Sequence, residues 1–314
     1  MTMTTRHKIV YFGSSEHSAD ILEYVLGNAP FLEIVAVVTQ PQREHAHTHQ
    51  ADTPVAKVAL QHGLPLLRPH RASECVPELQ SLDPVAGLLF AYGQILKPDL
   101  LAVFPKGIIN IHPSLLPLHR GPSPIEATIL AGDTEVGTTI MRISEAMDAG
   151  PILTQSRFMI DPAIKKVDLT QKLISESKKI LLPALKRYLG DSLEPTAQND
   201  EKATYCKLLR KENGQVDLAT TSALQLERMI RAYSDWPGVT VDLPKKTNRL
   251  RIYTAHHTNL PTSKPGVYAH QGQLLLATND GVLAAELVQL PGKKILTAKD
   301  ALNGLHLSSY PKAD

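Results

Sequence analysis

Short apolar runs rich in β-branched residues alternate, in the first half of the chain, with segments whose apolar residues recur at helical spacing. This alternation limits the fold more than any other feature. Residues 8–13 (K-I-V-Y-F-G) and 33–39 (E-I-V-A-V-V-T) are strand-like, and Ser18 to Leu26 between them has the helical pattern, so together they make a βαβ unit. A helix follows at 54–62, then strands at 85–90 (V-A-G-L-L-F) and 107–112 (G-I-I-N-I-H), then a helix at 124–131 that Ser123-Pro124 starts and Gly132 stops. Strands joined by crossover helices pair in parallel, and a parallel sheet is covered on both faces. The expected fold is therefore α/β, a Rossmann-like, mainly parallel sheet with helices on both faces, over residues 1–189. Leu169 to Leu189 closes it as a longer helix.

Residues 190–203 (G-D-S-L-E-P-T-A-Q-N-D-E-K-A) lack apolar periodicity and read as a linker. From 204 to 314 the pattern changes to one amphipathic helix at 222–233 and short strands at 238–243, 249–254, 266–270, 273–277 and 282–289. So many short strands on so little chain predict a small C-terminal β-barrel, with the oligonucleotide-binding (OB-like) type as a candidate.

A chain of 314 residues is a natural length for two such domains, and 43% hydrophobic with 20% charged residues excludes a disordered chain. Met1 to Arg6 is short and polar, with no export signal, and the apolar stretch Val85 to Leu96 is broken by Gly87, Tyr92, Gly93 and Gln94, well short of the ~20 residues that span a bilayer. Cys75 and Cys206, the two cysteines, are too far apart in sequence for a metal-type pair and fit a reducing compartment, so the expected location is cytoplasmic. The net charge of +2 is unevenly spread: residues 1–200 hold 18 Lys+Arg against 21 Asp+Glu (−3), and residues 201–314 hold 15 against 10 (+5). A basic C-terminal part suits an anionic partner such as nucleic acid, or is simply a solvated surface.

In Asn110-Ile111-His112 an amide and an imidazole lie two residues apart, so they project from the same face at a strand's carboxyl end, where ligands bind in open α/β sheets. Pro113 to Pro117 cannot extend the strand and forms a stiff loop whose leucines can wall an apolar slot. Asp148, within Glu145 to Pro151, sits where Gly and Pro mark a tight turn. An amide and a protonated imidazole suit a developing oxyanion, and a carboxylate orients the imidazole and favours its charged form; these are the needs of acyl transfer to an amine. The same three residues also suit a strand cap and a turn, and spacing alone leaves both readings open.

N-I-H-P-S-L-L-P at 110–117, then H-R-G-P-S-P-I at 119–125 and G-T-T-I-M-R-I-S-E-A-M-D-A-G-P-I at 137–152, resemble the signature of the folate-dependent formyltransferases. The resemblance implies Asn110, His112 and Asp148 as catalysts. It also implies a folate-contacting loop of Ser114, Leu115, Leu116 and Pro117, and a pterin pocket lined by Ala91, Tyr92, Gly93 and Ile95 within Ala91 to Leu96. F-G-S-S-E at 12–16, T-Q-P-Q-R at 39–43, T-Y-C-K-L-L-R-K-E-N-G-Q-V-D at 204–217, I-R-A-Y-S-D-W-P-G at 230–238 and P-G-K-K at 291–294 are similar to the branch acting on methionyl-tRNA. That branch implies 10-formyltetrahydrofolate as co-substrate and initiator methionyl-tRNA as partner, with no protein partner implied; no metal is assigned, because the H-x-H-x-H run at 45–49 reads as an exposed polar loop.

One segment departs from the pattern. After Arg43, the expected tRNA contact, the family's Gly- and Lys-rich loop is replaced by Glu44-His45-Ala46-His47-Thr48-His49-Gln50, which removes most of its fixed positive charge. Gly13 stands alone after the first strand, outside any G-x-G-x-x-G, which speaks against a dinucleotide site. Trp236 is expected in a core rather than as a stacking platform. Three alternatives share these features: a formyltransferase acting on an amino sugar nucleotide, a 10-formyltetrahydrofolate hydrolase, and a non-catalytic RNA-binding protein that keeps the fold.

Overall fold

The computed structural model of the chain describes residues 6–41, 52–244 and 249–311. It divides into two compact units. The first takes the residues up to Gly121 with Val136–Phe158 and Gln171–Tyr205; the second takes Pro122–Glu135, Met159–Thr170 and the residues from Cys206 onward.

In chain order the elements of the formyl-signature half are β1 (His7–Gly13), α1 (Glu16–Asn28), β2 (Leu32–Val38), α2 (Pro54–Gln61), β3 (Leu66–Leu67), α3 (Val76–Leu82), β4 (Ala86–Phe90), α4 (Pro98–Leu101), β5 (Ile108–His112), α5 (Pro124–Ala131), β6 (Glu135–Arg142), β7 (Ile152–Met159) and α6 (Lys166–Leu189). The sheet order is β3-β2-β1-β4-β5-β6-β7. The pairs from β3 through β5 are parallel, and β6 runs antiparallel to β5. The chain winds outward from β1 to β3 and then returns to the other side of β1 as β4, so the strand order reverses between β1 and β4. Such a reversal opens a crevice at the carboxyl ends of the strands.

β1 shows why these runs are apolar throughout. Ile9 and Tyr11 pack with Ile21, Leu22 and Val25 of α1 and Leu181 of α6, whereas Val10 and Phe12 pack on the other face with Leu79, Leu100 and Phe104. With both faces covered, each position excludes water, and a fully buried side chain of this size contributes about 1.5–3 kcal/mol. Local chemistry sets the helix ends. Ser15 Oγ accepts from the Ser18 amide to start α1, Thr53 Oγ1 accepts from Ala56 ahead of Pro54 in α2, and Gly132 stops α5 at φ 78°. Gly13 is a close-approach residue: a Cβ there would lie 1.7 Å from Ser18 Oγ and 3.0 Å from the Phe90 carbonyl oxygen.

In the second unit α7 (Ala223–Ala232) follows β8 (Gln215–Val216), and then come β9 (Val239–Asp242), β10 (Arg249–His257), β11 (Gly266–His270), β12 (Gln273–Ala277), β13 (Val282–Gln289), β14 (Leu296–Thr297) and α8 (Ala298–Leu302). α7 buries Leu226 and Ile230, while Arg228 and Arg231 donate to the carbonyls of Leu130, Ala131 and Ile164. The strand path is β11-β12-β13-β10-β9-β8, with β14 on β13. Among the described residues no pairing joins β11 to β8, so the path is open, and the OB-like closure expected from the strand pattern is not part of it. The two ends of the path instead border a cavity of about 390 Å³ lined by Val216, Asp217, Thr240, Arg249, Pro265 and Gly266. Trp236 is half exposed rather than a core residue. No described helix is long and apolar enough to cross a membrane.

Candidate active site

On β5, Ile109 and Ile111 face the cluster that includes α1 and α6, and Ile108 faces the opposite one. Strand alternation puts Asn110 and His112 on the Ile108 face, where polar side chains take over at the strand's carboxyl end. β4 and β6 flank this end, with Leu89 and Met141 opposite Asn110 and Thr139 opposite His112. Both polar residues are nonetheless buried.

His112 Nε2 donates to the His119 carbonyl at 3.0 Å, and its Nδ1 lies 3.7 Å from Asp148 Oδ2. Asp148 Oδ2 also accepts from the Gly121 amide at 2.8 Å. Asp148 thus reaches His112 although 36 residues separate them in the chain. It does so from a left-handed backbone, φ 48°, one of three non-glycine residues of this kind around the strand ends, with Ala91 at 48° and His119 at 57°. Each such residue costs of order 1–3 kcal/mol and persists where its surroundings impose it, as they commonly do at functional sites.

Burial pulls the His112 pKa below its ordinary 6.5, against Asp148 and the His119 carbonyl, which raise it. Asp148 does favour the charged form, as expected of a carboxylate beside an imidazole, but desolvation outweighs it, because almost none of the ring meets water. With the Nε2 proton committed to His119, the Nδ1 lone pair of the neutral ring is directed toward Asp148.

Ser114, Leu115 and Leu116 are buried and closely held. Ser114 Oγ donates to the Leu118 carbonyl at 2.6 Å, the Leu116 amide donates to Thr139 Oγ1 at 3.2 Å, and Gln155 Nε2 donates to the Leu116 carbonyl at 2.8 Å. Pro117, half-buried, follows a cis peptide bond. The leucines therefore pack inward instead of walling an open slot. Tyr92 behaves likewise. Its ring packs edge-on against Phe12 at 5.7 Å, and its carbonyl accepts from Ser14 Oγ and Gln40 Nε2. What segment 91–95 leaves open is Ala91, Gly93 and Ile95, the last 85% exposed. Gly93 and Ile95 also line a cavity of about 440 Å³ with Gln40, His70, Arg71 and Lys97. Arg43 and the histidines at 45, 47 and 49 lie outside the described residues.

Sequence reasoning gave no role to Arg120, whose side chain is 2% exposed and bonds Gln198, Asp200 and Tyr205. The signal was the unassigned H-R-G-P at 119–122. Thr204 completes the frame, accepting from the amides of His119 and Arg120.

Residues 7–185 match the formyl transferase family, and residues 208–306 match the formyl transferase C-terminal domain. A methionyl-tRNA formyltransferase of Roseiflexus castenholzii is 40% identical over 308 residues, 96% of this chain and 97% of that one. A methionyl-tRNA formyltransferase of Thermotoga maritima is 33% identical over 302 residues, 95% of each. In fold, the chain is similar to an N-formyltransferase from Helicobacter canadensis in complex with folinic acid and dTDP-3-aminofucose (TM-score 0.66, 18% identity, 89% of this chain and 98% of that one). It is also similar to the glycinamide ribonucleotide transformylase 1 of Symbiobacterium toebii (TM-score 0.53, 20% identity, 63% and 96%). With a family match over most of its length and full-length relatives above 30% identity, the chain belongs to the formyl transferase family, in its methionyl-tRNA formyltransferase branch.

Proposed function

We propose that the protein transfers the formyl group of 10-formyltetrahydrofolate to the α-amino group of initiator methionyl-tRNA, with Asn110, His112 and Asp148 as its catalytic residues. The observation that carries this reading is the approach of Asp148 to His112 at the carboxyl end of β5, beside Asn110. Exposed Ala91 and Gly93 beside the bare Ile95 suit a flat heterocycle, whose face needs apolar cover.

The folate supplies a formyl carbon held on nitrogen. Attack by the methionyl amine forms the new C–N bond, and the Asn110 amide donates to the oxygen on which charge gathers. The amine's proton passes to the His112–Asp148 pair, where Nδ1 takes it and the carboxylate steadies the resulting cation. The same proton goes to the folate nitrogen as the old C–N bond breaks, which balances the step. In this division of labour the basic C-terminal part, from Cys206 onward in the second unit, holds tRNA, and Arg43 contributes near the acceptor end.

The test is incubation of the purified protein with 10-formyltetrahydrofolate and, separately, charged initiator tRNA, a 4-amino sugar nucleotide, and water alone. Formyl-methionyl-tRNA as the dominant product supports the reading. A formylated sugar nucleotide, or folate hydrolysis with no acceptor, replaces it with one of the alternatives.

A further inference from the structure

Gln198 lies in a polar stretch whose composition reads as a linker, yet its side-chain amide is fully used. Nε2 donates to the carbonyls of Asp148 at 2.8 Å and Gly150 at 2.7 Å, and Oε1 accepts from Arg120 Nε at 3.0 Å and Nη2 at 2.8 Å. The amide's orientation is forced, because a guanidinium only donates and a carbonyl only accepts. Two donors and two acceptor sites are what a carboxamide has, so Gln198 has no free hydrogen-bonding capacity.

Both partners of this amide lie beside the reacting pair. Arg120 stands between His119, whose carbonyl accepts from His112, and Gly121, whose amide holds the Asp148 carboxylate. Arg120 is itself fixed by Asp200 at 2.6 Å and by Tyr205, whose hydroxyl is 3.3 Å from Nη1. On the other side Gln198 grips the backbone of Asp148, which is left-handed, and of Gly150, where a Cβ would lie 1.8 Å from the Arg142 carbonyl oxygen. A strained turn needs an external hold, and this amide supplies two of its bonds.

We propose that Gln198, braced by Arg120, is a positioning residue for formyl transfer: it fixes the Asp148 turn relative to the 119–121 loop and so sets the separation of the Asp148 carboxylate from His112. This rests on the catalytic reading of that pair. It gives a concrete role to a residue outside the signature motifs, and the role is exercised through the backbone without contact with substrate.

Gln198→Met keeps length and neutrality but removes all four hydrogen bonds. Gln198→Glu keeps the Arg120 contact and turns lone pairs toward the two carbonyls. Expected for each is a kcat at least 10-fold lower, with KM for methionyl-tRNA and for 10-formyltetrahydrofolate within about twofold and a melting temperature within a few degrees of wild type, since the loss concerns geometry in the transition state. The second readout is the NMR titration of the His112 imidazole in the free protein, where Asp148 and His119 are the titratable groups that act on it. In Gln198→Met, which adds no charge, its midpoint should move down as the carboxylate loses its place. Wild-type kcat in either variant overturns the proposal, as does a kcat loss with an unmoved His112 titration in Gln198→Met. Should the Met variant not fold, the Glu variant decides on the kcat-against-KM split alone. Because the titration needs no substrate, it tests the positioning role even if the wild-type protein fails to formylate methionyl-tRNA, a result that would sink the functional reading instead.

Discussion

Asp148 Oδ2 sits 2.8 Å from the Gly121 amide but 3.7 Å from His112 Nδ1, so the carboxylate is anchored by backbone and stands just beyond hydrogen-bond reach of the ring. A proton gained on Nδ1 makes the ring a cation beside an anchored acceptor, which the carboxylate stabilises. Asp148→Asn should therefore lower kcat by at least about 100-fold, as should His112→Ala, with the fold retained. Since Asp148 is the chief group raising the His112 pKa against burial, Asp148→Asn should also move the acid limb of the residual kcat/KM profile to lower pH. Near-normal turnover of either variant would sink the pair.

Asn110→Ala should cost about 10²–10³-fold in kcat, the usual effect of removing one donor to an oxyanion. Steady-state kinetics with both substrates separates the possibilities. A rise in KM with kcat intact would assign Asn110 to binding instead.

The depressed pKa of His112 has a consequence for folding as well. The unfolded chain takes up a proton near pH 6.5 while the buried ring resists it, so this group adds stability above about pH 6.5 that is lost as pH falls toward the folded-state value. Urea unfolding of wild type should show stability declining below that pH, with a shallower decline in His112→Gln. Equal pH slopes for the two proteins would contradict a neutral buried imidazole.

Much of this was legible from pattern, and the exceptions have physical causes. The apolar runs around Val10 and Ile109 announce strands because both faces of the sheet are covered, and Ser123-Pro124 and Gly132 bracket α5 through local backbone chemistry. β6 escaped notice as a strand, since Gly137, Thr138 and Thr139 interrupt its apolar run and its antiparallel pairing with β5 is a long-range choice. Asn110 and His112 could be placed side by side from strand periodicity. The inward packing of Leu116 and Tyr92 could not, because a loop's direction depends on partners such as Thr139, Gln155 and Phe12. Gln198 stayed hidden because a polar segment held by hydrogen bonds has the same composition as one held by nothing.

The inward packing of the 114–117 loop makes it a stability element. Leu116→Ala should lower unfolding free energy by about 2–5 kcal/mol, whereas Leu118→Ala, at an exposed position two residues on, should stay within about 0.5 kcal/mol. Denaturant midpoints measure both. If Leu116→Ala leaves the midpoint unmoved but weakens folate binding, the leucine faces the ligand after all.

The final prediction concerns the excess of five positive charges in residues 201–314. Lys293 and Lys294 are exposed beyond β13, in a turn where the Lys293 amide donates to the Leu290 carbonyl at 3.0 Å and the Lys293 carbonyl accepts from Gln289 Nε2 at 2.7 Å. The backbone of the turn is thereby fixed, which reduces the entropy lost when its two ammonium groups meet phosphates. If they do so, each contact releases condensed counterions and contributes roughly 0.7–0.9 to the slope of log affinity against log salt. Replacing both by glutamine in the full chain should weaken tRNA binding at low salt, flatten that slope by about 1–2, and leave folate binding unchanged. The measurement is a set of tRNA titrations at several salt concentrations, wild type against the double variant. Parallel slopes of equal affinity would mean that these lysines are a solvated surface, and that the basic excess grips tRNA elsewhere on the unit or not at all.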